Sequence, residues 1–190
     1  NGPISSPCVV PPDGSARPAP RTPDSQTSDA RPTLSPDGKT LAYVSEAAPV
    51  MIYQRSRLMV RDLKSGATRE VAPDFDAGVG SLAWAPDGKS LYVTAPHLGQ
   101  VKLFAVSVAD GKVTEVVSDG SVGGYDLAAG TTVYVRDSLT SPGQLYDLAA
   151  GGAPRQLSAV AKAAMADTPM SDAEQFSFTG WNGEKVYGYV

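Results

Sequence analysis

Hydrophobic positions in this chain fall into short alternating runs, not helical stripes. Leu41 and Tyr43 point one way from an extended strand, and Ala42 and Val44 point the other. Leu91 and Val93, with Tyr92 and Thr94 opposite them, repeat the arrangement. Apolar character on both faces predicts strands buried between two sheets. Each run follows the same polar tetrapeptide, Pro36-Asp37-Gly38-Lys39 or Pro86-Asp87-Gly88-Lys89, and each tetrapeptide follows a short strand, Arg31 to Leu34 or Gly80 to Trp84.

The tetrapeptide is a turn by its own chemistry. Pro36 presets φ for the first corner of a type I turn and Asp37 suits the second. Gly38 takes the left-handed conformation that completes a hairpin with a bulge. Pro86, Asp87 and Gly88 repeat these assignments. A repeated carboxylate and lysine could also signal a repeated site, but Asp37 and Asp87 stand where a turn wants an aspartate. Lys39 and Lys89 read as solvated edge charges.

A second element follows each copy. Residues 57–71, 102–117 and 144–158 each read as a strand, a turn ending at Gly66, Gly111 or Gly151, and a further strand. The third unit has a degenerate first half, with strands Tyr125 to Leu127 and Thr131 to Val135 around a turn at Ala128-Ala129-Gly130. Three four-stranded units result, over about 29–73, 78–118 and 121–158. Repeats of roughly 40–50 residues are the period of β-propeller blades. Residues 1–28 read as the remnant of a preceding blade (Pro7 to Ala19) and its link, with a Pro- and Ser-rich linker as the alternative. Closed propellers need about four to eight blades, so three and a remnant leave edges open. The chain is expected to be part of a larger protein, or to self-assemble through those edges.

After the last blade the pattern changes. Residues 159–170 read as a linker, and the Ala-rich stretch 158–168 as the only helical segment. From residue 171 to 190, Phe176 and Phe178 alternate with polar residues, Trp181-Asn182-Gly183 forms a hairpin turn, and Lys185 to Val190 alternates again. This hairpin does not fit a blade and reads as the start of another domain. The expected fold class is all-β, a partial propeller followed by the first hairpin of a truncated α/β-hydrolase domain.

Composition narrows the function classes. The 190 residues are 42% hydrophobic and 19% charged, with a net charge of −4, which suits a folded chain. Basic residues are scattered, so no nucleic-acid partner is expected. No apolar run is long enough for a membrane span. Gly 19 and Pro 16 punctuate the strands. The single cysteine, Cys8, forms no internal disulfide and supplies no cysteine-based zinc site. The chain starts at Asn1 with no signal peptide, which fits a processed or truncated product.

Blades reading S-P-D-G-K-T-L-A-Y and W-A-P-D-G-K-S-L-Y resemble those of the prolyl oligopeptidase family of serine peptidases, especially bacterial dipeptidyl and acylaminoacyl peptidases. The tail adds the more specific signal. Glu174, Phe176, Phe178, Gly180, Gly183, Val186 and Gly188, placed after the last blade and a short linker, resemble the entry to that family's hydrolase domain. The resemblance implies hydrolysis of short peptides by a Ser-Asp-His triad, with the propeller restricting access. It also implies that the partners are the hydrolase domain and the N-terminal blades of the same parent, and it favours a periplasmic over a cytoplasmic setting. The alternative is a binding or scaffold propeller of the periplasmic Tol-system type.

No residue of this chain is assigned a catalytic, cofactor or metal role. A nucleophile elbow needs Gly-x-Ser-x-Gly, and around Ser121 the first glycine position is Asp119. His97, the one histidine, sits in a loop without a nucleophile motif and reads as a solvated side chain or a turn contact, not a general base. The family's peptidyl-peptidase branch anchors the substrate amino terminus with paired glutamates from the propeller, but no adjacent Glu-Glu occurs here. Gly78-Val79-Gly80-Ser81-Leu82-Ala83 matches a dinucleotide pattern, yet the Pro86 turn follows where a helix should begin. Asp74, Asp76 and Gly78 hint at a calcium loop, but the expected glutamate falls at Ala85. Trp84 could be a substrate platform. Its place before the turn suits a blade core better, as do those of Tyr43, Tyr92, Phe104 and Tyr134.

Overall fold

A computed structural model describes residues 5–23, 25–47, 54–160, 165, 168 and 170–190. Most of the Ala-rich stretch expected to be helical lies outside the described residues. Strands dominate what is described. A two-residue pair, β1 (Cys8–Val9) and β2 (Ala19–Pro20), runs antiparallel at the start. Three four-stranded sheets follow. The first holds β3 (Thr27–Leu34), β4 (Thr40–Ala47), β5 (Arg57–Asp62) and β6 (Thr68–Glu70). The second holds β7 (Leu82–Trp84), β8 (Ser90–His97), β9 (Gln100–Ser107) and β10 (Val113–Val117). The third holds β11 (Ser121–Ala128), β12 (Thr131–Ser138), β13 (Ser141–Ala149) and β14 (Arg155–Gln156). Neighbouring strands in each sheet are neighbours in sequence, which is the meander of a propeller blade. A final antiparallel hairpin, β15 (Gln175–Thr179) with β16 (Lys185–Tyr189), completes the chain.

The repeated turn forms as its residues dictate. Gly38 N–H donates to the Ser35 carbonyl at 2.8 Å, and Gly88 N–H to the Ala85 carbonyl at 2.9 Å. Both glycines have φ near +70°, where a Cβ would be strained. Behind each turn the lysine carbonyl accepts a bond from the third strand's end: Leu63 N–H to Lys39 O and Val108 N–H to Lys89 O, each 2.9 Å. The turn therefore ties the first half of a blade to the second. Asp37 and Asp87 face their own backbone, accepting from Lys39 N–H and Lys89 N–H at 3.1 and 2.9 Å.

The strands extend further than alternation predicts. β3 begins at Thr27, because a bulge between Ala30 and Thr33, with Arg31 at φ 53°, lets the strand continue past a Pro that cannot donate. β11 runs for 8 residues through Gly123 and Gly124, with a bulge between Val122 and Gly124. Its first residues lack the apolar alternation that marks a strand.

The chain divides into two compact units, residues 1–93 with 105–114 and residues 94–104 with 115–190. The first has a core of Leu41, Tyr43, Val44, Leu58, Val60, Trp84, Leu91 and Val93, all buried. Both faces of β4 are covered, as expected for a strand between sheets. Trp84 is a core residue whose indole N–H donates to the Thr33 carbonyl at 3.1 Å, joining β7 to β3. Tyr43 is buried too, and loss of water pushes its phenol up. The second unit buries Leu103, Phe104, Val122, Tyr134 and Tyr146. Tyr134 and Tyr146 are direct cross-strand partners and stack at 5.6 Å between ring centroids.

Candidate functional site

The chemistry-bearing residues singled out by sequence do not assemble. His97 is exposed at the end of β8 and meets only the edge of Phe104, at 6.2 Å between ring centroids, among the contacts resolved for it. Ser121 lies in β11, not on a strand-to-helix turn, and its Oγ accepts the Val101 N–H at 3.2 Å. Gly78 to Gly80 lead into β7, and Val79 N–H donates to Ser56 Oγ at 2.8 Å instead of facing a phosphate. Asp74 and Asp76 are exposed beside a turn in which Phe75 N–H donates to the Ala72 carbonyl. Among the described residues, no group of three or more His, Cys, Asp or Glu is placed to hold a metal.

The second unit carries instead a set of polar fixings at its connections. Lys102, on β9, is buried. Its ammonium donates to the Ser118 carbonyl and the Gln100 side chain, each at 2.5 Å, and to the Gly120 carbonyl at 2.9 Å. These carbonyls belong to the link from β10 to β11, so a single side chain closes the step between two blades. Desolvation lowers the pKa of this amine, opposed by Glu115 and Asp119. Nearby, Arg136 on β12 pairs with Asp119 at 2.7 Å, donates to the Tyr146 hydroxyl at 2.8 Å and lies 4.1 Å from the centre of that ring.

The exit from the third sheet is fixed the same way. Gln144, buried in β13, accepts from Ser158 Oγ at 2.9 Å and from Val160 N–H at 3.1 Å through one oxygen. Ser158 Oγ also accepts the Leu145 N–H at 2.9 Å. A shallow depression of about 560 Å³ opens here, and none of its lining side chains titrates. Its hydroxyls are those of Thr140, Ser141 and Ser158, and the last is taken up by Gln144 and the Leu145 N–H.

The final hairpin meets the β8–β9 turn. That turn has only Leu98 and Gly99 at its centre, with φ 50° and 79°. The Tyr189 hydroxyl donates to the Leu98 carbonyl at 3.0 Å and accepts from Gln175 Nε2 at 3.1 Å. The hairpin's own turn is also local chemistry. Asn182 and Gly183 have φ 61° and 79°, the conformation an Asn-Gly pair adopts between strands. Sequence reading missed Lys102, Gln144 and Tyr189. Each acts on backbone far along the chain, and no local pattern announces such a pairing. What the arrangement does is hold together segments that are distant in the chain.

No protein-family model matches the chain. Dipeptidyl-peptidase 5 of Porphyromonas gingivalis is 32% identical over 120 residues, covering 62% of this chain and 17% of that protein. Dipeptidyl-peptidase 5 of Trichophyton schoenleinii is 31% identical over 164 residues, covering 78% of this chain and 22% of that one. The chain thus spans about a fifth of the length of these curated relatives. Among solved structures, an acylaminoacyl peptidase of Pyrococcus horikoshii superposes with a TM-score of 0.65 at 19% identity, over 80% of this chain and 23% of that one. TolB of Acinetobacter baumannii superposes with a TM-score of 0.57 at 18% identity, over 74% of this chain and 35% of that one. Both superpositions establish the fold, a partial propeller.

Proposed function

The chain belongs to the prolyl oligopeptidase family of serine peptidases, and on that premise we propose that it is the non-catalytic propeller portion of an enzyme hydrolysing short peptides of dipeptidyl or acylaminoacyl type. Its role is to restrict which peptides reach a Ser-Asp-His site carried by the hydrolase domain. In this reading residues 171–190 begin that domain, residues 159–170 link to it, and further blades of the same parent complete the ring. The observation that carries the reading is the hairpin β15–β16, which follows the last blade and breaks its pattern. The reading expects the chain alone to be inactive, and it is supported by His97 standing exposed at the end of β8 and Ser121 lying in a strand.

A scaffold propeller of the Tol type shares the blades but gives no reason for the hairpin or for the peptidase relatives. Sequencing the gene beyond Val190 separates the two. A downstream Gly-x-Ser-x-Gly in a strand-to-helix context is the expected result. A stop codon directly after the hairpin would sink the peptidase reading.

A further inference from the structure

The turn of the final hairpin differs from the blade turns in ways its shape does not require. The blades put aspartate before the turn glycine, as in Asp37-Gly38, Asp87-Gly88 and Asp110-Gly111. The hairpin puts asparagine there, in Asn182-Gly183, and the chain's other asparagine is Asn1. In the blade turns the side chain is engaged: Asp37, Asp87 and Asp110 accept from Lys39, Lys89 and Lys112 N–H at 3.1, 2.9 and 3.2 Å. Among the described residues no donor or acceptor meets the Asn182 side-chain amide, and the residue is exposed. The glycine nitrogens differ as well. Gly38 and Gly88 N–H bond at 2.8 and 2.9 Å, the ordinary length, whereas Gly183 N–H reaches the Gly180 carbonyl at 3.3 Å and Glu184 N–H the Trp181 carbonyl at 3.4 Å. The hairpin is closed one step further out, by Gly180 N–H to the Glu184 carbonyl at 2.7 Å. Nothing stands within 4 Å of where a Cβ on Gly183 would lie, so the glycine side of this peptide is open.

We propose that Asn182 is a site of spontaneous covalent modification, deamidating in the folded protein through a cyclic imide with Gly183. The Gly183 nitrogen, having given its proton to hydroxide, attacks the Asn182 side-chain carbonyl carbon. A bond forms from that nitrogen to Cγ, the bond from Cγ to Nδ2 breaks, and ammonia leaves with a proton taken from water. Water then opens the ring. Cleavage at Cγ gives aspartate, and cleavage at the main-chain carbonyl gives isoaspartate. The net change consumes water and releases ammonia, with nothing oxidised or reduced. Glycine suits the attacking position because it has no side chain to hinder the approach. Ring closure rotates the 182–183 peptide away from its present ψ of 15°, and the two long bonds are the ones that must yield. The isoaspartate form carries the main chain through Cγ. It adds a methylene inside the span closed by Gly180 and Glu184 and leaves a carboxylate beside Glu184.

The test incubates the full-length protein in mildly alkaline buffer, folded and unfolded in guanidinium chloride, and follows the hairpin segment by peptide mapping with mass spectrometry. A turn opening that costs no more than one weak hydrogen bond slows the reaction by no more than about ten-fold. Asn182 is therefore expected to convert in the folded protein at a rate within about ten-fold of the unfolded chain, giving both aspartyl and isoaspartyl products. Mapping separates this segment from the one that holds Asn1. Asn182→Gly keeps the left-handed backbone and is expected to abolish the change. Gln175 is the other side-chain amide of the hairpin, and a change that persists in Asn182→Gly lies there and overturns the proposal. Conversion slowed by more than about ten-fold on folding, or an aspartyl product alone, overturns it as well.

Discussion

The blades and the final hairpin are both antiparallel β-structure, yet they treat their apolar residues oppositely. In β8, Leu91 and Val93 are fully buried, at 0% exposure. In the hairpin, Phe178 is 54% exposed and Trp181 is 87% exposed. Central blade strands such as β4 and β8 bury residues on both faces. The hairpin has the local chemistry of a stable turn, with Asn182 and Gly183 at positive φ, but two strands alone have little to bury. Phe176 and Phe178 stack on one another at 6.3 Å, and the Phe176 ring lies over Gly188. Local sequence can build a hairpin without giving it a core.

Core truncation should separate the two regions most strongly. Leu91→Ala is expected to destabilise the chain by about 3 kcal/mol, against less than about 0.5 kcal/mol for Phe178→Ala, by urea unfolding of each variant. Comparable losses would mean the hairpin is packed into the same cooperative unit as the blades.

The turn glycines sharpen the point inside the blades. Gly111 has φ 73°, and a Cβ there would stand 2.2 Å from the Val71 carbonyl oxygen. Gly38 has φ 71° with nothing within 4 Å. Gly111→Ala should cost about 2–3 kcal/mol, from backbone strain plus collision, and Gly38→Ala about 1 kcal/mol, from strain alone. Equal shifts in the urea midpoint would show that the close approach to Val71 is not maintained.

Buried Lys102 gives a middle-sized effect. Lys102→Met leaves the Ser118 and Gly120 carbonyls without their donor, and about 1–3 kcal/mol of stability should go with it. The amine's folded pKa lies below its ordinary 10.5, so in the pH interval between the two the unfolded chain binds more protons. Stability from this group therefore rises with pH through that interval, and the rise should be missing in Lys102→Met. A variant with an unaltered urea midpoint and pH profile would remove Lys102 from the blade connection.

The smallest effect compares the two repeated turns. Ser35 Oγ donates to Asp37 Oδ1 at 2.6 Å, and with the Lys39 N–H it holds that carboxyl below its ordinary value. The second turn has Ala85 in the serine's place. Stability from Asp37 is present above pH 3.8 and is lost as pH falls through the lower folded value. Ser35→Ala should raise the Asp37 pKa toward 3.8, read by carboxyl carbon NMR. No upward movement would mean that the serine bond does not form.

Much of the fold was legible because its signals are local. Pro36, Asp37 and Gly38 specify a turn by their own backbone preferences, and Leu41 to Val44 specify a strand by alternation. β11 was only half legible, since Gly123 and Gly124 erase the alternation while the ladder to β12 continues around a bulge. The fixings of the second unit were not legible at all. Gln144 binds Val160 and Tyr189 binds Leu98, pairings set by topology and not by spacing. Of the candidate site, sequence identified the hairpin as the informative segment but not the residue by which it touches a blade.

The central claim is that this chain is the propeller portion of a serine peptidase and carries none of its catalytic groups. Labelling with a fluorophosphonate probe, alongside turnover of a chromogenic dipeptide, tests it most directly. The account predicts that the protein encoded by the whole gene labels at one serine and turns over, while residues 1–190 alone do neither. Labelling of the 190-residue chain that tracks with turnover, or a full-length protein that takes no label, would contradict it.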